Sequence, residues 1–272
     1  MVLRPEGLSE LPKGGFVSAW EAVARSQKTV SSRYRLVRQP DHARLAGQLA
    51  AQFSIPGAPA VDDNVVQAIS LHDEGWSDFD CGHERLQATP ASYSQTNVAQ
   101  NAEGKPLSFL EINAGDFLRA WRGSIEAAEA VAPIAGLMVS GHFRRIAQLG
   151  MSMSTYSDDD TRQVREFMAH EEQRERRLLQ LQSRSAKEVQ HWTDVLQFCD
   201  LLSLYLCCGS EESVEFPQPI GPKGETIRVQ VNDGVNVLSP SLFAREAEFS
   251  LEAQSYPAEL HASSPQLNWR MR

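Results

Sequence analysis

Apolar positions recur at spacings of three and four up to about residue 208 and alternate after it, so the pattern predicts helices followed by strands. Val65, Ala68, Ile69 and His72 share one helical face, with Asp62 as N-cap and Gly75 as helix stop. The stretch Gln39-Pro40-Asp41-His42 opens a helix to about Phe53, whose face is His42, Leu45, Ala46, Leu49 and Phe53. Asn113 to Val131 carries a core stripe of Phe117, Leu118, Trp121, Ile125 and Ala128. Pro133 starts another helix through Leu137, Met138, His142 and Ile146. Ser157 to Asp160 caps a charged helix over about Thr161 to Arg184, whose Glu and Arg residues read as a solvated face. A last helix covers about Ala186 to Cys208.

Val17 to Arg25 is a short amphipathic segment, and Tyr34 to Val37 reads as a short strand. Ser54 to Pro59 reads as a loop, and residues 77 to 106 show no sustained period. Ile227 to Val231 and Val235 to Val237 alternate around Asn232-Asp233-Gly234, a hairpin signal. Glu248 to Ala253 is a candidate third strand, and the chain beyond Pro257 shows no pattern. A lone hairpin is marginal in water, so it must pack on the helices or on a second subunit of a homo-oligomer. The expected fold is mainly α, a helical bundle with a small C-terminal antiparallel β appendage. The expected division is an N-terminal extension (1–32), a helical domain (33–209), and a Pro-marked linker with a β-rich tail (210–272).

Composition narrows the partners. The chain has 272 residues, with 26 Lys and Arg against 35 Asp and Glu, a net charge of -9. Phosphate contacts along a nucleic acid need clustered cations, so a nucleic-acid polymer is an unsuitable partner. A small phosphate ester needs only a local cation or a metal. The four cysteines form no Cys-x-x-Cys pair and three lie in one apolar helix, which suits reduced thiols in the cytoplasm. Met1 to Gly15 has no apolar leader core, and the apolar run Val195 to Cys208 is broken by Asp200. That run is shorter than the ~20 residues of a membrane span, so no membrane partner is expected.

Candidate chemistry lies on the apolar faces. His42, His72, His142 and Asp200 each fall on a helical core stripe, and Asp73 follows His72 at the turn. A carboxylate carried toward a core is costly unless it is paired or binds a metal. This order, a His, then His-Asp, then a further His, then an Asp in an apolar helix, resembles the HD-domain superfamily of metal-dependent hydrolases. More narrowly, Gln39-Pro40-Asp41-His42, His72-Asp73-Glu74-Gly75-Trp76, Phe109-Leu110 and Asp200 with Leu201-Leu202-Ser203-Leu204 are similar to an uncharacterised bacterial HD-like family of unknown function with a short β-rich tail.

The resemblance implies metal ligation by His42, His72, Asp73 and Asp200, with His142 on a second ion. One or two ions of Mn, Fe, Ni or Zn suit such ligands. It also implies hydrolysis of a small phosphate ester or nucleotide by metal-activated water, with Asp73 bridging two ions and Glu74 moving protons. Trp76 stands where phosphate-cleaving members have Lys or Arg, which leaves Trp76 and Arg145, with Arg144 beside it, as candidate substrate contacts. An HD-type di-iron oxygenase and a non-catalytic metal-stabilised regulatory module are the alternatives. His191 lies half a turn from the Asp200 face if their helix is continuous. His170 sits in the charged helix, and His83 and His261 lie in aperiodic stretches.

Overall fold

Polar caps fix the helix starts in the computed structural model, which describes residues 1–7, 15–54, 61–80, 101, 105–153, 156–257 and 264–272. Asp62 accepts the backbone N–H groups of Asn64 and Val65 and opens α3 (Asp63–Leu71). Asn113 caps α5 (Ala114–Val131), while Pro133 starts α6 (Pro133–Ser152). Ser157 caps α7 (Asp158–Leu179), and Ser185 with Glu188 forms a capping box on α8 (Ala186–Cys208). Earlier come α1 (Ala19–Lys28) and α2 (Gln39–Ala51), with Pro40 in the first turn. A short α4 (Ser77–Asp80) follows a single 3-10 turn, Glu74–Trp76. Residues 55–59 of the expected loop, residues 81–100 and 102–104 of the aperiodic stretch, with Cys81 and His83, and also His261 lie outside the described residues.

The strands overturn the expectation of a mainly α protein with a small β appendage. Among the described residues they form two sheets. Strands β1 (Val2–Pro5), β3 (Tyr34–Val37) and β8 (Gln254–Tyr256) make a three-stranded antiparallel sheet. A six-stranded mixed sheet runs in the order β2 (Val17–Ser18), β4 (Val214–Phe216), β5 (Ile227–Asn232), β6 (Val235–Ser239), β9 (Gln266–Met271), β7 (Ala247–Glu252). Its β2–β4 and β6–β9 pairs are parallel, and the remaining pairs antiparallel. The fold is therefore mixed α and β. Strands of two to four residues, such as β1, β2 and β4, are too short to display a period. Strand β9, where no pattern was expected, alternates Leu267, Trp269 and Met271 inward.

The hairpin signal lies where β5 meets β6, with Asn232 opposite Val235. Asp233 (φ 50°) and Gly234 (φ 73°) both adopt left-handed backbone, the turn that matches strand twist. A Cβ on Gly234 would meet nothing closer than the Arg270 guanidinium at 3.7 Å. Gly234→Ala should therefore cost only the conformational term, about 1–2 kcal/mol, measured by urea unfolding.

Helix α8 is the axis of the fold. Its residues are buried on nearly every side from Trp192 to Cys208, and it packs against α1, α2, α3, α6 and β1. Gly209, at φ 70°, ends it in the left-handed cap expected of glycine. One hydrophobic core reaches from Val2 through α8 to Met271. The charged helix α7 is not wholly solvated: Glu171 is fully buried, accepting from Ser140 of α6 and paired with Arg174. Among the described residues, no helix is long and apolar enough to cross a membrane.

Candidate metal centre

Four elements bring the ionisable residues together. His42 sits one turn into α2, beyond Pro40, and is fully buried. His72 closes α3, and at Asp73 the backbone leaves the helix (φ −119°, ψ 21°). That break turns the Asp73 carboxylate back toward α2. Asp200 comes from the middle of α8 and His142 from the middle of α6.

His42 Nε2 lies 2.8 Å from Asp73 Oδ2, and His72 Nε2 lies 3.8 Å from the same oxygen. His72 Nε2 also lies 3.2 Å from Asp200 Oδ1, while His142 Nε2 is 3.7 Å from Asp200 Oδ2. In each of two overlapping groups, His42–His72–Asp73 and His72–His142–Asp200, one ligand atom per residue lies within 4.8 Å of the others. All but Asp200 are buried, and Asp200 keeps a side-chain exposure of 14%, so the cluster meets solvent there.

The electrostatics suit a cation. Burial alone would discharge His72, but the Asp73 and Asp200 carboxylates outweigh it and lift its pKa to about 9. Burial would likewise raise Asp200, yet the hydrogen bond and charge of His72 hold it at about 2. His142 is pushed down to about 4 by burial, so its imidazole is neutral at pH 7. His72 Nδ1 donates to the Ile69 carbonyl at 2.7 Å, which leaves Nε2 as its site-facing atom. Between Nε2 and two carboxylates a positive charge is required, either a proton or a metal. Among the described residues His142 Nδ1, which is buried, finds no hydrogen-bond partner, which leaves polar capacity in the cluster unused. Imidazole nitrogens with carboxylate oxygens are a donor set for Mn, Fe, Ni or Zn, so the residues present fit a transition metal.

The other expected residues are placed differently. Glu74 points outward with 38% of its side chain exposed, accepting from Ser77 and facing Arg44. Arg145 donates to Asp194 and Gln197 of α8, and Arg144 pairs with Glu175 of α7. Both arginines are thus held by the protein's own carboxylates. His191 is half-buried against Trp192, and His170 is exposed and bonded to Glu171; neither joins the cluster groups. Trp76 is 4% exposed, tilted against Phe79 within the main core, so its indole is a packing element. Trp76→Ala should destabilise the fold by about 3–5 kcal/mol, seen as a large fall in melting temperature.

Sequence reasoning gave Ser203 no role beyond its place in the Leu201-Leu202-Ser203-Leu204 motif, yet its hydroxyl lies 3.0 Å from His42 Nδ1. Its spacing of three from Asp200, one helical turn, was the available signal. Nothing in the sequence could point to the Ile69 carbonyl.

Fold and site together define a mixed α and β protein with a buried histidine–aspartate centre. The chain belongs to the DUF3891 family, proteins of unknown function, which matches residues 27–257 and so contains every residue of the cluster. No curated protein and no solved structure matches the chain.

Proposed function

We propose that the chain is a metal-dependent hydrolase of a small phosphate ester or nucleotide. The observation that carries this reading is the meeting of His42, His72 and Asp73 in one group and of His72, His142 and Asp200 in an overlapping one, nearly all buried, from α2, the end of α3, α6 and α8. The resemblance of these residues to the HD-domain ligand set supplies the reaction class. His42, His72, Asp73 and Asp200 would hold one ion. A second would rest on His142 with a shared carboxylate, because His72 has only Nε2 to give. A bound metal would supply a water of lowered pKa and a Lewis acid for phosphoryl oxygens.

The protein's own contribution is electrostatic and steric. Asp73 and Asp200 offset the charge of an ion, and the buried imidazoles keep bulk water from its inner side. Substrate would approach past Asp200, where the cluster meets solvent. Glu74, adjacent to Asp73 but turned outward, would carry a proton to the centre only by leaving Ser77 and Arg44. Arg145, one turn beyond His142, could reach a substrate anion only by leaving Asp194 and Gln197.

That pairing favours a second reading. With Arg144 and Arg145 both engaged, an HD-type di-iron oxygenase, which needs no phosphate-binding cation, also fits the two overlapping groups. The test is elemental analysis of protein purified without added metal, followed by a panel of phosphate esters and nucleotides with Mn²⁺. Phosphate release supports the hydrolase. A pair of irons with oxygen consumption and no hydrolysis transfers the assignment to the oxygenase. Metal retained without turnover leaves a structural centre, and failure to bind any transition metal overturns both enzymes.

A further inference from the structure

We infer that Ser203 is a positioning residue that sets the protonated nitrogen of His42 and thereby aims Nε2 into the cluster. The purpose of this device rests on the metal-centre reading above, but its chemistry does not. Ser203 is fully buried on α8, one turn beyond Asp200. Its hydroxyl donates to the Asp200 backbone carbonyl at 2.8 Å. A carbonyl oxygen only accepts, so the single hydroxyl proton is committed there.

His42 Nδ1 lies 3.0 Å from the same Oγ, which has only lone pairs left to offer. Nδ1 must therefore carry a proton and donate it to Ser203. The other ring nitrogen, Nε2, lies 2.8 Å from Asp73 Oδ2, so in the metal-free protein the two share a proton that a bound metal would displace. His72 achieves the same outcome directly, through Nδ1 and the Ile69 carbonyl. Both histidines thus send Nδ1–H into the main chain, one directly and one through a hydroxyl relay, and both turn Nε2 to the carboxylates.

Without the relay a buried Nδ1–H on His42 would be orphaned. The ring would then hold only the Nε2–H that it shares with Asp73, and its lone pair would lie on Nδ1, turned away from the cluster. An inward Ser that merely satisfies its own helix would have no such effect, since its bond to Asp200 is complete without His42.

The experiment is long-range ¹⁵N NMR of the metal-free protein at neutral pH, with Zn²⁺ affinity measured by equilibrium dialysis. Wild type should show His42 Nδ1 bearing a proton. Ser203→Ala should show Nδ1 bare and Nε2 protonated, with Zn²⁺ affinity lowered about 10–100-fold. Ser203→Thr keeps the hydroxyl and should restore both, and melting temperatures check that each variant is folded. A bare Nδ1 in wild type, or an unchanged Nδ1 and affinity in Ser203→Ala, overturns the inference. If Nδ1 responds as expected while wild type binds no Zn²⁺, the role of Ser203 stands and the metal-centre reading fails.

Discussion

Asp73→Asn is expected to yield a folded protein that holds no transition metal and hydrolyses nothing above background. Asp73 Oδ2 is the oxygen that faces both His42 and His72, so it joins the two imidazoles of the first group. An amide keeps the shape but removes the charge that offsets an ion. Loss of an outer partner of a metal ligand costs about 10–100-fold in affinity, and loss of an anionic ligand should exceed that. Asp73→Ala adds a second effect. In the metal-free protein His72 carries a proton, and Asp73 is one of its two carboxylate partners. Breaking a buried pair costs roughly 3–5 kcal/mol, so the Ala protein should lose stability as well as metal. Metal content by elemental analysis and thermal unfolding read the two effects separately. Full metal content in Asp73→Asn would remove Asp73 from the ligand set.

How far the sequence reaches can be argued residue by residue. The helices were legible because their stripes are long and their caps explicit: Asp62, Asn113, Ser157 and Ser185 each accept the backbone bond expected of an N-cap. His42, His72 and Asp200 were legible for the same reason, since each occupies a place on a stripe that a core side chain would otherwise fill. The two sheets were not. Strand β1 pairs with β3 at separations of 29 to 35 positions, and β8 joins them from the far end of the chain. Pairing at that range leaves no local period. The strands β7 and β8 are separated by Ala253 alone yet enter different sheets, a change of partner that alternation cannot reveal. Orientation was also hidden. Glu74 and Asp73 are adjacent, yet the backbone break at Asp73 sends one carboxylate inward and leaves the other partly in water.

Gly75 is not the helix stop expected of it, since α3 ends at Leu71 and Gly75 lies inside the 3-10 turn Glu74–Trp76; its actual role leads to the second large effect. Gly75 does not adopt the left-handed φ that a helix-stopping glycine uses. It is glycine because α5 presses on it. A Cβ there would lie 2.6 Å from the Ser124 nitrogen and closer still to the Ala120 carbonyl oxygen, both main-chain atoms of α5. The Gly75 N–H also donates to the buried Ser124 hydroxyl at 3.0 Å. Backbone cannot yield as a flexible side chain can, so Gly75→Ala must move α5 or the turn that carries Asp73. Overpacking of this kind costs about 1–3 kcal/mol, and here the displaced element is the one that aims a ligand. The variant should therefore melt at a lower temperature and bind Zn²⁺ far more weakly than an equally destabilised variant remote from the turn. Gly123→Ala is the graded control, since its Cβ would meet Gly75 Cα at 3.2 Å, a contact that a small shift relieves. If Gly75→Ala loses stability while retaining wild-type Zn²⁺ affinity, the turn does not govern the placement of Asp73. If it loses neither, the close packing of α5 on Gly75 is itself refuted.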